Sequence, residues 1–144
     1  MGKTVYTAGS FDLFHVGHLN VLERCREIAG EDGKVFVGVH TDESVESRKG
    51  RPPVIPLLQR IEIVKAVRYV DDAMAVSSVP EMVSQAERLG ADVMVNGADV
   101  ADTMRRYGVE IPPWAVFVPR TEGVSTTQIR EKIEGKTEST AREG

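Results

Sequence analysis

Two of the three histidines in the chain, His15 and His18, stand on either side of Gly17 within SFDLFHVGHLNVLERC, residues 10–25. Three residues make a little less than one helical turn, so the two rings share one side of a helix start. The unpaired N–H groups of such a start form an anion site. Gly9 and Gly17 let a bulky ligand approach the backbone with no Cβ in the way. A phosphate held there meets two imidazoles able to donate hydrogen bonds to oxygens that gain charge in a transition state. Three plainer uses fit the same spacing: a helix cap without chemistry, simple packing, or a metal site. The metal use lacks a Glu between the histidines and an evident third ligand, since His40 is the only other histidine.

The elements that position these residues follow from hydrophobic spacing. Residues 3–8 read as a first strand ending at Gly9, then a loop, then a helix over about 17–29 with Leu19, Leu22, Cys25 and Ala29 as its apolar stripe. KVFVGVH, 34–40, reads as a buried strand. Residues 41–56, polar and basic with Gly50 and Pro52-Pro53, read as a long mobile loop. Pro56 opens a helix whose expected buried stripe is Leu57, Leu58, Ile61, Val64 and Val67. Short strands are expected over 73–76, 92–95 and 115–118, with helices over 80–89 and 103–107 between them. Ser125 starts a last helix, and Ser125 with Gln128 has the S-x-x-Q spacing of a capping box. Alternating strands and helices imply a five-stranded parallel sheet with right-handed crossovers, an α/β class of fold. Ligands of such sheets bind beyond the carboxyl ends of the strands. That rule collects Gly9 to His18, the 41–56 loop, Asn96 to Asp99 and Pro119 to Ser125 on one rim.

Composition narrows the classes. A chain of 144 residues, 41% of them hydrophobic, suits one compact domain. It contains no apolar run near the ~20 residues that span a bilayer, and its first residues lack the apolar block of a signal peptide. The single cysteine, Cys25, falls at helical spacing with Leu22 and Ala29 and reads as a buried thiol. These features predict a cytoplasmic protein. A net charge of −4 argues against nucleic-acid or general membrane binding, so an anionic ligand must be met by a local cluster of basic groups.

Three segments carry a resemblance. GSFDLFHVGH (9–18) resembles the GTFD-x-x-H-x-GH signature of the nucleotidyltransferase superfamily. RIEIVKAVRYVDD (60–72) resembles the R-x7-RYVD element of its cytidylyltransferase branch, and PRTEGVSTTQIREKI (119–133) resembles the RTEGISTT element of glycerol-3-phosphate cytidylyltransferases. The resemblance implies a Rossmann-like three-layer α/β/α fold over residues 1–134, with 135–144 a disordered tail. It implies transfer of CMP from CTP to a small phosphorylated alcohol, with Mg²⁺ carried on the nucleotide phosphates and a homodimer that uses RYVDD as an interface. By position, Gly9, Ser10 and Phe11 would form the turn under the triphosphate, and Asp12 would anchor that turn. His15 and His18 would stabilise the transition state. Lys49 would reach the phosphates or hold the acceptor, a role that Arg48 or Arg51 could take instead, while Arg60 and Arg68 would bind acceptor and nucleotide. Arg120, Thr121, Ser125, Thr126 and Thr127 would close over the triphosphate.

One departure bears on specificity. The branch carries GDDW after the fourth strand, where this chain has Gly97-Ala98-Asp99-Val100. Ala98 removes a carboxylate that could accept hydrogen bonds from a base or sugar, which leaves Gly97 and Asp99 to line that edge. The resemblance therefore leaves two alternatives open: an adenylyltransferase using ATP with a flavin mononucleotide or sugar phosphate, and a nucleotide-binding regulatory domain without turnover.

Overall fold

A computed structural model describes residues 2–135. The chain runs β1 (Thr4–Gly9), α1 (Val16–Ala29), β2 (Lys34–His40), α2 (Asp42–Lys49), α3 (Leu57–Lys65), β3 (Asp72–Val76), α4 (Val79–Arg88), β4 (Val93–Gly97), α5 (Val100–Arg106), β5 (Ala115–Val118) and α6 (Thr126–Ile133). The five strands make one sheet in the order β3-β2-β1-β4-β5, and every pairing is parallel. The expected α/β architecture is thus present. The tail beyond 135 lies outside the described residues.

Strands buried on both faces read as continuous apolar runs, and Val35, Val37 and Val39 of β2 are fully buried. One face packs Val5, Val37 and Val95 against Leu22, Cys25 and Ala29 of α1 and Val64 of α3. The other packs Tyr6, Val76 and Met94 against Met82 and Ala86 of α4 and Met104 of α5. Cys25 is buried as expected, and burial pushes its thiol up to about 12. Leu19 and Leu58, expected in apolar stripes, are 36% and 76% exposed. On α3 the inward side is formed by Leu57, Arg60, Ile61 and Val64, spaced at three and four, and Leu58 falls off it.

The segment 41–56 is not one long loop. Its first half is α2, and the cause is capping rather than hydrophobicity. The Thr41 hydroxyl accepts the Ser44 N–H at 3.1 Å. Asp42 and Glu43 stand at the positive end of the helix dipole and Arg48 and Lys49 at the negative end. Gly50, at φ 79°, closes it in the left-handed conformation that glycine adopts without steric cost. Only Ser44 and Val45 of this helix are buried, so no apolar stripe betrayed it.

Candidate active site

β1 sits at the point where the sheet order reverses, with β2 on one side and β4 on the other. Ligands of doubly wound sheets bind in the crevice at that point. A cavity of about 420 Å³ opens there, walled by the turn after β1, the start of α1, the end of α2, the β4–α5 turn and the segment before α6.

The turn is built from strained and anchored backbone. Phe11 and Leu13 hold φ values of 52° and 48°, in the left-handed region that side chains disfavour. Asp12, 2% exposed, fixes the turn in the anchoring role expected for it. Its carboxylate accepts the N–H groups of Val54 at 2.8 Å and Ile55 at 2.9 Å, and takes Arg130 of α6 at 3.3 Å. Its carbonyl accepts the Thr126 hydroxyl at 2.7 Å. The turn, the 54–55 segment and α6 are thereby one assembly.

His15 is the N-cap of α1 and His18 its third residue. His15 Nδ1 accepts the Gly17 N–H at 3.0 Å, and His18 Nδ1 accepts the His15 N–H at 3.2 Å. The cap therefore engages the Nδ1 atom of each ring. With both Nδ1 atoms acting as acceptors, each neutral ring carries its proton on Nε2 and is a donor there. The rings stack with centroids 3.9 Å apart, and His18 also lies 5.3 Å from both Phe11 and Phe14. Burial, then His15 and Lys49, push His18 down to about 3. Burial lowers His15 as well. The rings are thus neutral donors at physiological pH. Gly17 serves the His15 ring more than a ligand, since a Cβ there would lie 2.8 Å from His15 Cε1.

Most of the expected site residues meet at this cavity. Gly9, Ser10 and Phe11 line it from the turn, Lys49 from α2, and Gly97 and Asp99 from the β4–α5 turn. Arg120, Thr121 and Ser125 to Thr127 line it from the segment before α6. Thr121 Oγ1 takes a hydrogen bond from Asn20 of α1 at 3.0 Å, which joins that segment to the histidine helix. Ser125 Oγ accepts the Gln128 N–H at 3.0 Å, the forward half of the expected capping box.

Two arginines stand elsewhere. Arg60, expected to bind the acceptor, is fully buried and spends its guanidinium on the fold. It donates to the carbonyls of Ile55 and Ser10 at 2.7 Å and of His40 at 2.8 Å, and pairs with Asp42 at 2.7 Å. Arg68, expected to bind nucleotide, is exposed, lies over the Tyr69 ring at 5.1 Å and does not line the cavity. Spacing alone could not separate a ligand-binding arginine from one that ties loops together.

The wall also holds residues that the sequence placed on the rim only as part of a segment, or, for Arg48, as a stand-in for Lys49; His40 it did not place there. Arg48 lines the cavity and donates to Ser10 Oγ at 3.2 Å. His40 and Asn96 line it from the ends of β2 and β4. Their signal was present: His40 is the last residue of β2 and Asn96 the last but one of β4, polar positions at the end of apolar runs. A second cavity of about 310 Å³ shares Lys49, Thr126 and Thr127 with the first and adds Arg51 and Arg130. Burial and the neighbouring Arg48 lower the Lys49 ammonium. Among the described residues no group of three or more His, Cys, Asp and Glu is placed to hold a metal. Among the described residues, Asp99 is the only carboxylate on the larger cavity wall. That donor set suits Mg²⁺ held mainly by nucleotide oxygens and water rather than by a protein cage.

The fold is a parallel α/β sheet with neutral imidazoles, cations and helix-start amides gathered at its switch point. The chain belongs to the cytidylyltransferase-like family, whose profile matches residues 6–132. It is 36% identical over 129 residues to the ethanolamine-phosphate cytidylyltransferase of Dictyostelium discoideum, covering 87% of this chain and 35% of that protein. It is 38% identical over 137 residues to the FAD synthase of Pyrococcus abyssi, covering 90% of each. The chain thus spans about a third of the first relative (35%) and most of the second (90%). A lipopolysaccharide core biosynthesis protein from Thermoplasma volcanium shares the fold, with a TM-score of 0.65 at 19% identity over 85% of this chain and all (100%) of that one. Among the described residues, no helix is long and apolar enough to cross a membrane.

Proposed function

We propose that this domain is a cytidylyltransferase that moves CMP from CTP to a small phosphorylated alcohol and releases pyrophosphate. The observation that carries the reading is the histidine pair: two neutral Nε2–H donors fixed by their own Nδ1 contacts, on the wall of a cavity that also holds Lys49, Arg120 and the 125–127 hydroxyls.

The reaction needs no general base, because the attacking oxygen of the acceptor phosphate is already anionic. That oxygen forms a bond to the α-phosphorus of CTP, the bond from that phosphorus to the bridging oxygen breaks, and the electron pair leaves with pyrophosphate. Charge grows on the non-bridging oxygens and on the leaving group. His15 and His18 donate to those oxygens, and Arg120 and Lys49 offset the charge, so catalysis is positioning plus electrostatic stabilisation. Mg²⁺ carried on the triphosphate would supply further charge neutralisation. A homodimer is part of the same proposal, supported by the exposed Leu58 and Ile63 on α3, and light scattering tests it.

A second reading, AMP transfer from ATP to a flavin mononucleotide, is supported by likeness to an FAD synthase along 90% of that protein and by the missing carboxylate at Ala98. Incubation with Mg²⁺ and either CTP or ATP separates the two. The acceptors are glycerol 3-phosphate, ethanolamine phosphate and flavin mononucleotide, with pyrophosphate release and product mass as readouts. A CDP-linked product supports the first reading. FAD from ATP replaces it with the second, and nucleotide binding without any product leaves a regulatory domain.

A further inference from the structure

The second cavity, of about 310 Å³, has a wall that is nearly all charge and hydroxyl. Lys49, Arg51 and Arg130 line it with Asp12, Thr126 and Thr127, and among the described residues Val45 is its only apolar member. Two of these charges cancel. The Asp12 carboxylate takes Arg130 at 3.3 Å and the N–H groups of Val54 and Ile55, so that pair is satisfied within the fold. The Thr126 hydroxyl is spent on the Asp12 carbonyl. Lys49 and Arg51 pair with no carboxylate among the described residues.

Two cations without a counter-ion on one small concave wall attract a ligand of matching negative charge, and the Thr127 hydroxyl adds a neutral donor. Inorganic phosphate presents oxygens on every side. An alkyl phosphate replaces one of them with a carbon body, and this wall offers only Val45 to receive it. The two cavities are coupled by position. Lys49, Thr126 and Thr127 belong to both walls, while Arg51 and Arg130 belong to the second alone. Burial and Arg48 lower the Lys49 ammonium, and the charges of Asp12 and Asp99 oppose them, one from each cavity wall. One ammonium thus serves two sites, and anions held on either side of it repel each other.

We propose that the second cavity is a separate site for free inorganic phosphate, whose occupancy weakens nucleotide binding in the larger cavity through the Lys49 they share. This rests on the nucleotide binding proposed above and adds a control on it. Coupling of this kind is reciprocal, so nucleotide weakens phosphate binding by the same factor.

Calorimetry on the full chain measures phosphate binding alone, then CTP binding at rising phosphate with ionic strength held constant by chloride. Phosphate that only competes for the larger cavity raises the apparent Kd of CTP in a straight line without limit. A separate site raises it to a plateau, expected about fivefold or more above the phosphate-free value. In Arg51→Gln the plateau falls to near that variant's own phosphate-free value, and Arg51→Lys, which keeps the charge, retains most of the effect. Each ratio is taken within one variant, so a change in its own CTP affinity cancels. Arg51 is exposed, so both substitutions leave the fold intact. A straight line, a plateau unchanged in Arg51→Gln, or an equal effect of added chloride overturns the proposal. So does an Arg51-dependent plateau of equal depth with glycerol 3-phosphate, which would make the cavity the acceptor's. Arg51-dependent phosphate binding to a chain that binds neither CTP nor ATP upholds the site and removes the transfer reading. A CDP-linked product together with a straight line does the reverse.

Discussion

The histidine pair has one observed job and one proposed job, carried by different atoms. The Nδ1 atoms close the helix start, and the Nε2–H groups remain for a ligand. Replacing His18 by Ala removes both, at unequal cost. A lost cap costs about 1 kcal/mol of stability, while a lost transition-state donor lowers kcat by about a hundredfold or more. Turnover and urea unfolding of His18→Ala together check this, and full turnover in that variant counts against the catalytic assignment. The same burial has a pH signature. His18 and His40 are both pushed down to about 3, chiefly by burial. Below about 6.5, the ordinary histidine value, the unfolded chain takes up protons that the folded chain refuses. Stability present above that pH is lost as pH falls toward the folded values. The two groups together remove about 2 kcal/mol between pH 6.5 and 5.5. Urea midpoints across that range measure the loss, and a flat profile would show that these rings titrate normally.

At the scale of elements, the site is held by residues that touch no substrate. Arg60 on α3 ties together the carbonyl of Ser10, the end of β2 at His40, and Asp42 at the start of α2. Removing one member of a buried, fully paired charge network leaves the others unpaired. Arg60→Met is therefore expected to destabilise the fold by about 3–5 kcal/mol, read as a fall in the urea midpoint. A loss below about 1 kcal/mol would mean that water satisfies those carbonyls. α2 teaches a related lesson. Its ends are well specified by Thr41, Asp42, Glu43, Arg48, Lys49 and Gly50, yet it reads as loop when hydrophobic period is the guide. Few of its residues face the core, so its helical signal lies in caps and charges. Its last turn delivers Arg48 and Lys49 to the cavity wall, a placement that a mobile loop would not guarantee.

Across the whole molecule, the cavity gathers the turn after β1, the end of α2, the β4–α5 turn and the segment before α6, all at one end of the parallel sheet. Saturating CTP should slow amide exchange in residues 9–18, 96–100 and 119–128 together, because one ligand bridges them. Protection confined to one of these segments would show that the cavity does not act as a unit. Much of this was legible in the chain itself. Alternating strand and helix patterns, the glycine and histidine spacing after the first strand, and the serine and threonine run before the last helix are each written within a few neighbouring residues. Those local patterns determined the α/β class, the binding rim and most of its members. Three matters were decided only by tertiary structure: that Arg60 is internal, that Asp12 reaches Arg130, and that Asn96 Oδ1 is left unpaired among the described residues. The partners of Arg60 and Asp12 lie 50 and 118 residues away along the chain. Whether a polar side chain meets a ligand, a carbonyl or nothing depends on what folding brings beside it, and no local spacing carries that information.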